Sequence, residues 1–298
     1  MTHFLQLLVG GVSLGAVYAL LALGFVIIFR ATEVVNFAHP ALLMVGAYFT
    51  ARFRTVDDLP FAVAVLLGVG VSVVLAVAIQ SLLARRMSGR SVIAVSIMTI
   101  GVDVVIHTEI TRRLGVDILP IGDPWQDGVV QIGAVTIPQT RLVALIVGIV
   151  VMGAFFAWFR FSDWGVAMRA SAEDSGTAAL MGIRRNRVAA IAWIIAGALA
   201  ALAGMALTMF PAPGLEPATS AVALRAFPAA IIGGLDSPGG AVVGGVLVGV
   251  AEVLAQGYGS ELAFLGLGFH TVMPYLVMVV VLLARPTGLF GTKELHRV

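Results

Sequence analysis

FLQLLVGGVSLGAVYALLALGFVIIF, residues 4–29, contains no charged side chain, and the way this stretch is read decides the fold. At about 1.5 Å per residue, a helix of that length reaches past a hydrocarbon core of about 30 Å. No lysine or arginine forms a basic region ahead of the run and no convincing small-residue cleavage site follows it, so it reads as a retained membrane helix rather than a secretory signal. Further apolar runs cover residues 60–84, 142–159, 188–210 and 262–284, with weaker ones at 34–51, 91–107 and 241–257. Backbone amides in lipid must be satisfied within their own segment, so runs this long imply helices; the two-residue alternation of a membrane barrel is absent. The expected fold is an all-α integral membrane bundle of about eight to nine transmembrane helices, some short or broken, in one transmembrane domain spanning residues 1–298.

The composition agrees. Charged residues make up 11 % of the 298 and hydrophobic ones 60 %, where a soluble domain carries roughly a quarter charged. Mean hydropathy is +1.04. The chain has no cysteine, which excludes disulfides, cysteine metal sites and thiol chemistry. A net charge of +2 is no signal for nucleic acid.

Basic residues orient the spans, because they concentrate in cytoplasmic loops. Arg30, Arg85, Arg86 and Arg90, the set Arg160, Arg169, Arg184, Arg185 and Arg187, and the tail residues Arg285, Lys293 and Arg297 are assigned to the inside. Arg52, Arg54, Arg112, Arg113, Arg141 and Arg225 then fall outside, twelve against six. This arrangement predicts an external N-terminus, a cytoplasmic C-terminus and an external loop near residues 108–140 holding Asp117, Asp123, Trp125 and Asp127. Opposite termini need an odd number of crossings, and the ninth falls on residues 221–235.

Two segments depart from ordinary lipid-facing helix. NFAHPALLMVGAY at Asn36–Tyr48 and AFPAAIIGGLDSPGG at Ala226–Gly240 combine proline or paired glycine with apolar residues near opposite ends of the chain. Broken helices in corresponding positions of two halves point to a transporter's central pathway, although a kinked packing helix leaves the same trace. The pathway candidates are Asn36, His39, Pro40, Gly233, Gly234 and Glu252. Asp103 and His107, four apart on one helical face, form either a proton relay or an interior contact. Gly11 and Gly15, Ala196, Ala200 and Gly204, and Gly240, Gly244, Gly245 and Gly249 have the spacing that lets helices approach closely, within this chain or against a second membrane subunit.

The stretch 160–187 is too polar for the bilayer and still patterned for order. Ser171 with Asp174 three residues on has the form of a capping box, and Gly182 suits the left-handed residue after a helix end. A surface helix of about ten residues is expected, with Glu173 and Asp174 near its positive end and Ala178 offering close contact to a partner.

This stretch resembles the cytoplasmic coupling loop of the branched-chain amino acid permease family of ATP-binding-cassette importers, in its shorter H-type membrane subunit. The resemblance extends over nearly the whole chain, through SLGAVYALLALGF (13–25), VNFAHPALLMVGAY (35–48), AGALAALAG (196–204) and AFPAAIIGGLDSPGGAVVGGVLVGVAE (226–252). Pro40 stands where the family usually has glycine, and Asp236 and Pro238 lie in a turn that varies. The resemblance implies a type II importer-like fold in the bacterial inner membrane, translocating branched-chain or related amino acids or other small polar solutes. It also implies a homologous permease subunit, two cytoplasmic ATP-binding subunits that carry ATP and Mg, and a periplasmic solute-binding protein. Coupling to the ATPase would run through Gly165, Arg169, Ser171, Glu173, Asp174, Ala178 and Gly182. No cofactor is expected on this chain, and the phosphate-loop pattern G-x-x-x-x-G-K-[ST] is absent from it. An ion-coupled transporter or channel using Asp103, His107 or Glu252 is the alternative, and no nucleophile–base pair or metal cluster nominates an enzyme.

Overall fold

The computed structural model describes residues 2–292 apart from 88–89, 116–117, 126–127, 134, 211–212, 262–263, 265 and 267. Asp117 and Asp127 of the expected external loop, and Lys293 and Arg297 of the tail, lie outside the described residues. The elements in order are α1 (Thr2–Thr32), α2 (His39–Thr55), α3 (Phe61–Ile79), α4 (Val92–Leu114), β1 (Val129–Ile132), β2 (Val135–Pro138), α5 (Gln139–Phe161), α6 (Asp163–Glu173), α7 (Ser175–Leu180), α8 (Arg185–Met209), α9 (Thr219–Gly233), α10 (Pro238–Gly257) and α11 (Met273–Ala284). A π-helical turn, Gln80–Ala84, and a 3-10 turn, Arg85–Met87, prolong α3.

Among the described residues, six helices are long and apolar enough to cross a membrane: α1, α3 with its extension, α4, α5, α8 and α10. The shorter α2, α9 and α11 run beside them. Among the described residues of the apolar run 262–284, Met273–Ala284 is the α-helical part. Gly266 and Gly268 hold φ values of +100° and +77°, which L side chains avoid, and so the helix starts late.

The core forms around α1, which is buried from Gly10 through Ile28 except at the half-buried Val12 and packs on α10, α8, α9 and α5. The glycines explain the close approach of α1 and α10: a Cβ on Gly11 would stand 2.7 Å from Val250 Cα, and one on Gly15 2.7 Å from Val246 Cα. Gly245 and Gly249 answer from α10, against Ala19 and Gly15. A second layer packs α2, α3 and α8 in the same way. Gly46 faces Ala201, Gly204 faces Leu43, and Ser72 Oγ lies 3.0 Å from the carbonyls of both Leu42 and Gly197. Ala196 and Ala200 are fully buried. These small residues therefore serve the chain's own bundle.

Apolar side chains that are exposed, among them Leu66, Val74, Ile93, Val105, Ile149 and Leu283, cover α3, α4, α5 and α11. A surface of that kind suits lipid and not water.

The bundle has two distinct ends. At one, which we call the hairpin end, the β1–β2 hairpin precedes α5, Arg54 donates to the Gly122 carbonyl, Phe61 meets Trp125, and Leu119 bridges to Leu215. The start of α1 is there too, since Gly10 lies against Arg141 near the start of α5, and it is joined by the end of α10, where His3 packs on Tyr258. At the other, the arginine-rich end, Arg85, Arg90, Arg184, Arg185 and Arg187 gather around the end of α1. These basic residues expected inside thus share one end. Arg225, expected outside, sits within α9, on the stretch read as the ninth crossing, and bonds to Glu252 on α10.

Candidate functional site

The first irregular segment turns back into the bundle. Beyond Thr32 the chain passes through Glu33, at φ 59°, and Asn36 Oδ1 accepts from the Ala38 amide at 3.0 Å. The Phe37 amide donates to Thr99 Oγ1 of α4 at 2.9 Å. α2 then begins at His39, whose ring lies so close to Gly24 that a Cβ there would overlap it. Gly24 precedes the end of α1 by eight residues, so α2 starts about 12 Å inside the bundle. Pro40 occupies the first turn of α2, where its missing N–H is no loss; it starts a helix and does not break one.

Asn36 and His39 are fully buried. Among the described residues, Asn36 Nδ2 and both ring nitrogens of His39 lack a hydrogen bond of normal geometry, although the Leu21 carbonyl lies close enough to interact with the ring. Around them stand three phenylalanines: Phe25 is 4.6 Å from the His39 ring, and Phe227 of α9 is 5.4 Å from Phe25 and 5.7 Å from Phe37, all between centroids. The two irregular segments therefore meet, through Phe227. Nothing in the sequence singled out that residue beyond its place in the second segment.

The second segment ends differently. α9 carries Pro228 in its interior, stops at Gly233, and passes through Gly234 at φ +101°. Ser237 caps α10 by accepting from the Gly240 amide at 3.0 Å. Gly233 and Gly240 touch so closely that a Cβ on either would overlap the other's backbone. The C-terminal tail closes the turn: the amides of Leu289 and Phe290 donate to the carbonyls of Ile232 and Gly233 at 2.8 and 3.1 Å, and the Thr292 amide donates to Asp236 at 2.8 Å. Gly233 lies six residues, about 9 Å, along α9 from Phe227. Gly233 and Gly234 thus belong to the α9–α10 turn at the arginine-rich end, away from Asn36 and His39.

Glu252 is buried with both carboxylate oxygens engaged. Tyr18 of α1 donates its hydroxyl to Oε2 at 2.7 Å, and Arg225 donates to Oε1 at 2.6 Å. This triad ties three helices together, α1, α9 and α10. Asp103 and His107 do not bond to each other among the described residues. His107 Nε2 lies 3.2 Å from the Pro217 carbonyl, and Asp103 Oδ1 has no partner.

The link between α5 and α8 corrects the sequence-based expectation. It is two helices, not one. Ser162 caps α6 by accepting from the Gly165 amide at 3.1 Å. Ser171, expected as a cap, lies inside α6 with its hydroxyl buried and unpartnered. Asp174 breaks the helix and caps α7, accepting from the amides of Gly176 and Thr177 at 2.9 and 3.0 Å and from the Thr177 hydroxyl at 2.7 Å. These bonds hold its carboxyl below the usual carboxylate range. Gly182 adopts the expected left-handed conformation, φ +88°. Arg169 turns inward, donating to the Phe159 carbonyl at 2.9 Å over that residue's ring, and Gly165 packs on the same carbonyl. Ala178 is buried at 4 % exposure, whereas Leu180 at 88 % and Met181 at 81 % stand exposed beside it. Glu173 is exposed.

Residues 7–284 match the sequence model of the family described as branched-chain amino acid transport system / permease component. Three relatives are similar over the full length. The high-affinity branched-chain amino acid transport system permease protein LivH of Salmonella typhimurium is 31 % identical, with 99 % of this chain and 98 % of that protein covered. LivH of Escherichia coli strain K12 is 30 % identical at the same coverage. The permease protein BraD of Pseudomonas aeruginosa is 29 % identical, again over 99 % and 98 %.

Proposed function

This chain belongs to the branched-chain amino acid transport permease family, and from that premise we propose that it is the membrane-spanning subunit of an ATP-binding-cassette importer for branched-chain or closely related amino acids. The observation that carries the reading is the family match across residues 7–284. The working assembly would contain a homologous permease, two cytoplasmic ATP-binding subunits holding ATP and Mg, and a solute-binding protein on the outer side of a bacterial inner membrane.

Within that assembly the solute would pass the place where the two irregular segments meet. An amide nitrogen and an imidazole without formed hydrogen bonds among the described residues, beside Phe25, Phe37 and Phe227, suit a zwitterion carrying an aliphatic side chain: polar groups meet the charged ends and rings meet the hydrocarbon. The arginine-rich end faces the cytoplasm. There α7 presents Leu180 and Met181 to the ATPase, and apolar anchors of this size dominate an interface more than rim charges such as Glu173.

Uptake of labelled leucine into vesicles holding the purified assembly tests the reading. Uptake should require ATP and the ATP-binding subunits, and uptake driven by an ion gradient in their absence would favour a secondary transporter. Replacing Leu180 and Met181 together with Asp should release the ATPase from the membrane subunits. Full retention with normal uptake would remove α7 from the coupling surface.

A further inference from the structure

At the arginine-rich end, a cavity of about 970 Å³ opens between the end of α1, the π turn after α3, and the starts of α4 and α8. We propose that it holds the phosphate-bearing headgroup of an anionic phospholipid. Arg85, Arg90, Arg184, Arg185 and Arg187 line it, against the single carboxylate of Glu33. They come from two stretches of chain about a hundred residues apart in sequence, and the fold brings them to one concave surface. Among the described residues none of the five takes part in an ion pair. Converging cations with so little counter-charge repel one another, and a bound anion relieves that repulsion. The planar guanidinium fork matches phosphate oxygens two at a time.

Two further features fit a headgroup. Gln80, 5 % exposed, lines the cavity without a side-chain hydrogen bond among the described residues, so a donor and an acceptor are left for a polar ligand. It opens the π turn Gln80–Ala84, an irregularity frequent at functional sites. The apolar residues distinguish a lipid from a free anion. Val92, Val95 and Trp193 form part of the same wall, while Leu82, Leu83 and Ile93 are exposed on the adjoining segments. Acyl chains leaving the cavity would therefore run along apolar helix surface into the bilayer. A basic pocket between helices at the cytoplasmic side is the setting in which anionic lipids are held. The orientation comes from the basic residues alone, so the inference does not depend on which solute is carried.

Lipid retention by the whole purified assembly tests the proposal. The assembly is exchanged into nanodiscs of phosphatidylglycerol mixed with phosphatidylcholine, and retained lipid is counted by native mass spectrometry. Phosphatidylglycerol should be retained in preference, and the combined variant Arg85→Gln, Arg185→Gln and Arg187→Gln should lower its retention about tenfold. Lysine at the same three positions keeps the charge and should restore most of the retention. Arg52→Gln with Arg113→Gln, at the hairpin end, should change nothing. If the glutamine variant fails to assemble, the lysine variant and the unaltered assembly still decide, because equal retention of both lipids overturns the proposal. Unchanged retention in an assembled glutamine variant overturns it as well. Displacement of the lipid by millimolar inorganic phosphate, which is then itself retained, would assign the cavity to a free anion and overturn the lipid.

Discussion

At the first break, residues 33–40, the chain turns into the bundle and leaves Asn36 Nδ2 and both nitrogens of His39 without a formed hydrogen bond. At the second, residues 233–240, Ser237 caps the next helix and the tail donates three backbone amides to Ile232, Gly233 and Asp236. Both carry a proline and apolar residues, and these alone do not separate them. Hydrogen-bond completeness does. An unpartnered polar group in a buried site costs about 1–3 kcal/mol, and a fold that bears this cost at one break and removes it at the other is using the two for different ends. The first is suited to contact a solute; the second fixes two helices and the tail.

Gly233→Leu should have the largest effect. Its side chain would overlap the Gly240 backbone, which cannot swing aside as a flexible side chain could, so the two helices themselves would have to separate. Size-exclusion chromatography of detergent extracts should show little monodisperse protein, and a normal peak with normal uptake would break the contrast from its sealed side.

Glu252→Ala comes next. It strands Arg225 and the Tyr18 hydroxyl, and breaking a buried pair costs about 3–5 kcal/mol. The Arg225 side chain keeps 22 % exposure, which places the loss near the lower figure. Thermal unfolding should shift down clearly, and an unshifted curve would remove the triad from the account of stability.

Asp174→Ala should have the smallest effect, a slight loss of order in α7. Its carboxyl is held below the ordinary value, so its contribution is present above the unfolded carboxylate range and fades only as the pH falls through the lowered value. Hydrogen exchange in residues 175–180, corrected for the intrinsic pH dependence of exchange, should show the same protection at pH 7 and pH 5; lower protection at pH 5 would contradict the sign.

Much of this was legible in the sequence because lipid imposes a simple rule: runs of apolar residues become helices. Each run read from the sequence contains one, and both irregular segments occur where proline and glycine placed them. Contacts distant in sequence were not legible. Glu252 and Tyr18 are 234 positions apart, and neither residue announces its partner. Local ambiguity misleads in the 160–187 stretch, where Ser171 and Asp174 have capping-box spacing while the caps that form are Ser162 and Asp174. Ala178 reads as available because small residues suit interfaces, yet α7 folds that side inward.

The most direct test of the contrast is His39→Leu, with uptake and thermal unfolding measured on the same reconstituted assembly. Removing two nitrogens that lack formed hydrogen bonds should leave stability equal or higher by about 1 kcal/mol, while uptake falls about tenfold. Uptake at the original rate would contradict the claim that the first break contacts the solute.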